Sequence, residues 1–325
     1  MPTDQNSNPS DGNAWETAPY KADLVDTPSS RMFLTAEGAP RQSGQPIVIF
    51  ESGAGAASTW WSPVARLVVD RVRVLMYDRS GLGRSEASAA TRTAENMAGE
   101  LLSLLDSAHI TPPYLLVAHS YGGLIAREFL AGGPPGAISG MVLIDTNTEK
   151  TYAEMRMPMD AAKAILKDVD YMQITGISTQ NSFTAGDLAR NNLDESSPHA
   201  SATSEAEQEL MPASAAALAQ KGQLATHALG SAPLTVIRGD TPRDISRIVA
   251  SAFERKLGTP EQRAELKEFA QRLEKIDRSL QMEQLALSSN ARFVQALSSG
   301  HHVQVTEPEL VAREILRIMD SSTTN

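Results

Sequence analysis

Ser120 lies in the run Ala118-His119-Ser120-Tyr121-Gly122-Gly123, between an apolar stretch, Tyr114 to Ala118, that reads as a buried strand and Leu124 to Leu130, which reads as a helix. A strand turning this abruptly into a helix strains its central residue and admits only small residues two positions either side. Ala118 and Gly122 meet that need. Such a turn lifts the Ser120 hydroxyl clear of the sheet at a helix N-terminus, where free N–H groups and the helix dipole favour developing negative charge. The chemistry this suits is nucleophilic attack, with stabilisation of an oxyanion. A serine hydroxyl attacks poorly until a base takes its proton. Of six histidines, His109, His199 and His227 sit in helical or inserted sequence with no motif around them, and His119 is expected to point away from the hydroxyl. Ser299-Gly300-His301-His302, directly after the last strand-like run, remains as the source of the base.

These residues need a scaffold, and the chain supplies alternating strand-like and helix-like runs, the pattern of a mainly parallel sheet covered by helices on both faces. Asp23 to Val25 and Arg31 to Thr35 read as an opening hairpin. Pro46 to Phe50, Val72 to Tyr77, Tyr114 to Ala118, Met141 to Ile144, Leu234 to Ile237 and Arg292 to Ala296 follow as strands. Met97, Leu101, Leu104 and Leu105 mark one amphipathic helix. Thr306-Glu307-Pro308-Glu309 has the spacing of a capping box, and Val311, Ile315 and Ile318 share one face of the closing helix behind it.

Two stretches break the alternation. Residues 147–231 are too long for a crossover and read as an inserted helical cap. Tyr152, Met155, Met157, Met159, Tyr171 and Met172 crowd its first part; they suit either the lining of an apolar acyl site or a small core of the cap's own. Thr241 to Asn290 reads as an amphipathic, solvent-exposed cover. Residues 1–21, polar and lacking the basic start and apolar stretch of a secretory signal, read as a flexible arm. The domain expectation is thus a core of 22–146 and 232–325 around the cap.

In these motifs the chain resembles the α/β-hydrolase superfamily, whose nucleophile elbow reads G-x-S-x-G; Ala118 replaces the first glycine. The resemblance implies a mainly parallel eight-stranded sheet flanked by helices with an inserted cap. It implies Ser120 as nucleophile and His301, after Gly300, as general base. The loop Glu51-Ser52-Gly53-Ala54-Gly55 stands where relatives place one oxyanion-hole N–H, which nominates Ala54, with Gly53 as the alternative, and Tyr121 as the second donor. Asp78-Arg79-Ser80-Gly81-Leu82-Gly83-Arg84-Ser85 matches a structural loop of the superfamily; as a phosphate loop it lacks the further glycine and lysine. For the acid that orients the imidazole, two positions compete. The usual place after the seventh strand offers Asp240 out of register, with Asp244 late. The end of the sixth strand, which haloalkane dehalogenases use, offers Asp145, the favoured choice. Their nucleophilic aspartate has Ser120 in its place.

The resemblance implies hydrolysis of a carboxylic ester, lactone or thioester through an acyl-enzyme, with no metal or organic cofactor. Acyl transfer, perhydrolysis or carbon–carbon hydrolysis would use the same triad, and a ligand receptor could keep the fold without turnover. The resemblance also implies a small-molecule acyl substrate, expected to be apolar. With 29 Lys and Arg against 39 Asp and Glu and a net charge of −10, no basic run could track a nucleic-acid backbone. No apolar run approaches the about 20 residues of a membrane span. The absence of cysteine removes disulfides, thiolate metal sites and a cysteine nucleophile. A cytoplasmic location is the expectation, although a secreted chain stripped of its signal would have the same sequence.

Overall fold

Successive side chains of a strand point to opposite faces, so strands apolar at every position must be covered on both. A computed structural model describes residues 13–322 and shows such a sheet. Its strands are β1 (Tyr20–Asp26), β2 (Arg31–Gly38), β3 (Ile47–Glu51), β4 (Arg73–Tyr77), β5 (Tyr114–His119), β6 (Ile138–Ile144), β7 (Leu234–Arg238) and β8 (Ala291–Gln295). They lie in the order β1-β2-β4-β3-β5-β6-β7-β8. β1 pairs antiparallel with β2, and β2 with β4; from β4 to β8 every pairing is parallel.

The helices before the long insertion are α1 (Ala14–Thr17), α2 (Ser62–Val68), α3 (Ala94–Ser107) and α4 (Gly122–Gly132). Within the insertion lie α5 (Thr151–Met155), α6 (Met159–Leu166), α7 (Tyr171–Thr175), α8 (Ile177–Gln180), α9 (Ala185–Glu195) and α10 (Ala200–Gln220). After β7 come α11 (Thr241–Glu254) and α12 (Pro260–Glu283), and after β8 the short α13 (Val303–Thr306) and α14 (Pro308–Ser322). In β5, Leu116 and Ala118 face a core shared with Met97, Leu101 and Leu104 of α3, while Leu115 and Val117 face Val64 of α2 and Val311, Ile315 and Ile318 of α14. Period two in the strand and period 3.6 in the helices thus meet on each face.

The structure departs from the sequence reading at four places. Residues 13–21 of the expected arm are built into the fold: Asn13 caps α1, Trp15 is buried in the first core and Tyr20 begins β1. Residues 1–12 lie outside the described chain. Thr306 does not cap the closing helix; it ends α13, and its hydroxyl donates to Ser299 Oγ. The α11–α12 excursion has an inner face: Ile248, Leu266, Phe269 and Leu273 bury against Ala162 and Ile165 of α6. Its apolar stripe covers the insertion where a solvent-exposed cover was expected. The second half of α10, with Ala215 and Leu218, packs into the first core. Among the described residues no helix is long and apolar enough to cross a membrane.

Candidate active site

Ser120 sits between β5 and α4 with φ 54°, a left-handed backbone that costs a non-glycine residue of order 1–3 kcal/mol. The surroundings hold it there. Its N–H donates to Ile144 O at 3.2 Å, and its carbonyl accepts from Gly123 N and Asn147 N, both at 3.0 Å. A Cβ on Gly122 would stand 2.6 Å from Glu51 O and 2.7 Å from Ser52 O, so this neighbour must be glycine. Ala118, in the place of the first glycine, is fully buried in the first core. The backbone N–H groups of Gly53, Ala54 and Tyr121 make no hydrogen bond among the described residues, whereas Gly55 N–H is taken by Glu207 Oε2 at 2.8 Å.

His301 follows β8 and lies across from β6. Its Nδ1 is 2.7 Å from Asp145 Oδ2. Asp145 is itself fixed, accepting from Gly239 N at 2.9 Å and Thr241 Oγ1 at 2.6 Å. Asp240 stands elsewhere: its carboxylate caps α11 by accepting from Arg243 N at 2.9 Å. Asp244 accepts the His301 backbone N–H at 2.9 Å, and a Cβ on Gly300 would come within 1.8 Å of that carboxylate. A glycine before His301 is thus required sterically. Burial opposes the charged imidazole, but the hydrogen bond and charge of Asp145, with Asp244 and Asp277 behind, hold His301 above its usual pKa. Burial, reinforced by the Asp145 charge, pushes the Asp277 carboxyl up to about 7, against its pairing with Arg238.

Ser120, His301, Gly53 and Ala54 line one cavity of about 210 Å³. Ser120 Oγ makes no hydrogen bond among the described residues; such bonds are often long in an empty site and tighten with substrate. His119 is no bystander. Its ring lies 4.6 Å from that of His301, its Nε2 is 3.1 Å from His301 O, and it lines the cavity. His302 closes the group at 5.0 Å from His301 and 5.1 Å from His119, with the Trp60 ring tilted against it at 4.9 Å. Burial, and then the charge of His301, holds both flanking imidazoles well below their usual range. None of Tyr152, Met155, Met157, Met159, Tyr171 and Met172 lines this cavity. Met155 and Tyr171 pack in the seam with α11 and α12, Met172 joins Trp60 and Ile177, and Met159 is exposed. The six do not wall this cavity, although the Tyr171 ring meets His302 edge-on at 5.9 Å.

Sequence reasoning missed a buried ion network beneath the Gly53–Gly55 loop. Arg79 donates to Glu51 Oε1 at 2.8 Å, to Ser52 O at 2.8 Å and to Gly53 O at 2.6 Å. It also forms a two-bond fork with Glu207 of α10, at 2.9 and 2.8 Å. Burial pushes the Glu51 carboxyl up to about 6 in spite of Arg79. The neighbouring Asp78 carboxylate accepts from Ser58 N and Arg84 N, at 2.8 and 3.0 Å, so this glycine loop is filled by its own acid. Among the described residues no group of three or more His, Cys, Asp or Glu is arranged to hold a metal.

Comparison with known proteins bears on the family and the fold. The model of a family described as "Alpha/beta hydrolase family" matches residues 48–314. An "AB hydrolase superfamily protein" from Gibberella zeae is 37% identical over 94% of this chain and 98% of its own. Among solved structures, an enol-lactonase from Burkholderia xenovorans superposes with TM-score 0.57 at 18% identity, covering 92% of this chain and all of that one. The haloalkane dehalogenase DbeA from Bradyrhizobium elkani superposes with TM-score 0.60 at 16% identity, covering 94% of this chain and 99% of its own. Likeness at such identity speaks for the fold alone.

Proposed function

Since the chain belongs to the alpha/beta hydrolase family, we propose that it is a serine hydrolase cleaving a carboxylic ester, lactone or thioester through an acyl-enzyme on Ser120. The observation that carries this reading is the 2.7 Å bond between His301 Nδ1 and Asp145 Oδ2, on a cavity that Ser120 shares with His301. With Nδ1–H donating to Asp145, Nε2 is the free basic nitrogen.

In this reading His301 Nε2 takes the Ser120 proton as Oγ bonds to the substrate carbonyl carbon. The carbonyl π pair becomes the oxyanion, received by the N–H groups of Tyr121 and of Ala54 or Gly53. Collapse expels the alcohol, lactone oxygen or thiol, which takes the proton from His301. Water then attacks the acyl carbon, giving a proton to His301; collapse breaks the bond to Ser120 Oγ, which takes that proton back from His301 as the acid leaves. Asp145 stays ionised throughout and steadies the imidazolium.

Hydrolysis of p-nitrophenyl acetate tests the assignment. Ser120→Ala should abolish turnover with the fold intact by circular dichroism. Turnover at the unaltered rate in that variant would overturn it.

A further inference from the structure

His119 precedes the proposed nucleophile and has no part in the proton transfers just described. It is buried, and its Nε2 lies 3.1 Å from the carbonyl oxygen of His301. A carbonyl only accepts, so Nε2 carries the proton and donates to that oxygen. Burial, and then the charge of His301, disfavours a second proton on the ring. Among the described residues this is the only hydrogen bond joining the turn 118–123 to the loop 296–302. The other partner of the His301 carbonyl, Val303 N–H at 3.2 Å, belongs to the same segment as His301 and ties it to nothing across the cavity.

The remaining anchors of the base come from other elements. Asp145, at the end of β6, holds the ring, and Asp244 of α11 holds the backbone N–H at 2.9 Å. Neither is attached to the nucleophile. His119 is, through one peptide bond to Ser120. The His119 ring is also confined: a Cβ on Gly53 would stand 3.1 Å from its Nδ1, and the rings of His301 and His302 lie 4.6 and 5.1 Å away. Closely packed groups transmit displacement, so a ring enclosed in this way passes the position of the elbow to the base loop. We propose that His119 is a positioning residue, whose Nε2–H clamps the His301 backbone to the turn that carries Ser120 and so keeps base and nucleophile in register for proton transfer. The proposal rests on the hydrolase reading for the roles of Ser120 and His301.

Gln and Met side chains are of closely similar length, and of the two only Gln offers an N–H in the place of the His119 Nε2. In His119→Gln, kcat for p-nitrophenyl acetate should stay within about threefold of the unsubstituted protein, because the base stays in place. In His119→Met it should fall about tenfold to a hundredfold, with KM as in His119→Gln, since a small misplacement of a reacting group costs up to about 10². Fluorophosphonate labelling should slow in the same order. His119→Leu takes the place of His119→Met if circular dichroism shows that the latter does not fold. Equal kcat with and without the donor overturns the proposal, as does a loss confined to KM. The hydrolase reading fails separately, when the unsubstituted protein neither turns over ester nor takes the label. The His301 titration, followed by the NMR signal of its ring Cε1 proton, then decides. A midpoint lower in His119→Met than in His119→Gln upholds the clamp, because the ring has drifted from Asp145; equal midpoints overturn it.

Discussion

His301 gathers opposing forces into one ring: burial works against its charge, and three carboxylates work for it. The net direction is upward from the usual value of about 6.5. The base form is lost as pH falls through a raised pKa, so the acid limb of kcat/KM should have its midpoint above about 6.5. Asp145→Asn removes the largest raising influence and leaves the wrong tautomer facing Ser120. The limb should move to lower pH and kcat should fall by about 10⁴, as in the serine-protease precedent. Asp240→Asn, whose amide oxygen can still cap α11, should cost about tenfold at most and leave the limb in place. A pH–rate series on the three proteins checks both. At this scale the sequence spoke through local signals. The elbow, and a histidine after an obligatory glycine, are each contained in a few adjacent residues. Asp145 and Asp240 differ only in where folding brings them relative to His301, and neither has a local mark to tell them apart.

Elements carry the loop proposed to receive the oxyanion. Arg79 ties the carbonyls of Ser52 and Gly53 to α10 through Glu207, which also holds the Gly55 N–H. The partners lie 128 positions apart, and a buried ion pair between distant segments leaves no periodicity to read. Glu207→Gln keeps the shape but removes a buried charge from Arg79. The loop should loosen: kcat should fall by about tenfold or more with KM little changed, since removing an oxyanion donor outright costs about 10²–10³. Affinity for a trifluoromethyl ketone, whose adduct carries the oxyanion, should fall in parallel. Weakened folding alone would leave both quantities unchanged per folded molecule. Thr306 illustrates the opposite failure of local reading, a capping-box spacing spent on a different contact, the bond to Ser299.

Over the whole molecule, the order of strands and helices was legible because several buried strands are unbroken apolar runs and the helices that cover them carry an apolar stripe. Which helices pack on one another was not. α6, α11 and α12 share a core that a stripe alone could not assign to the insertion. Phe269, 1% exposed at its centre, should cost about 3–5 kcal/mol when changed to Ala, read by urea denaturation. Because Met155, Met157 and Met159 do not line the cavity, truncating them to Ala should leave the acyl chain-length profile unchanged. A shifted profile would bring the insertion into the substrate site.

The central claim is that Ser120 is the attacking atom, and labelling with a fluorophosphonate followed by peptide mass spectrometry tests it most directly. The account predicts a single phosphonyl adduct on the peptide carrying Ser120, absent from Ser120→Ala and strongly slowed in His301→Ala. An adduct on another serine, or ester hydrolysis that persists in Ser120→Ala with no label at residue 120, would contradict it.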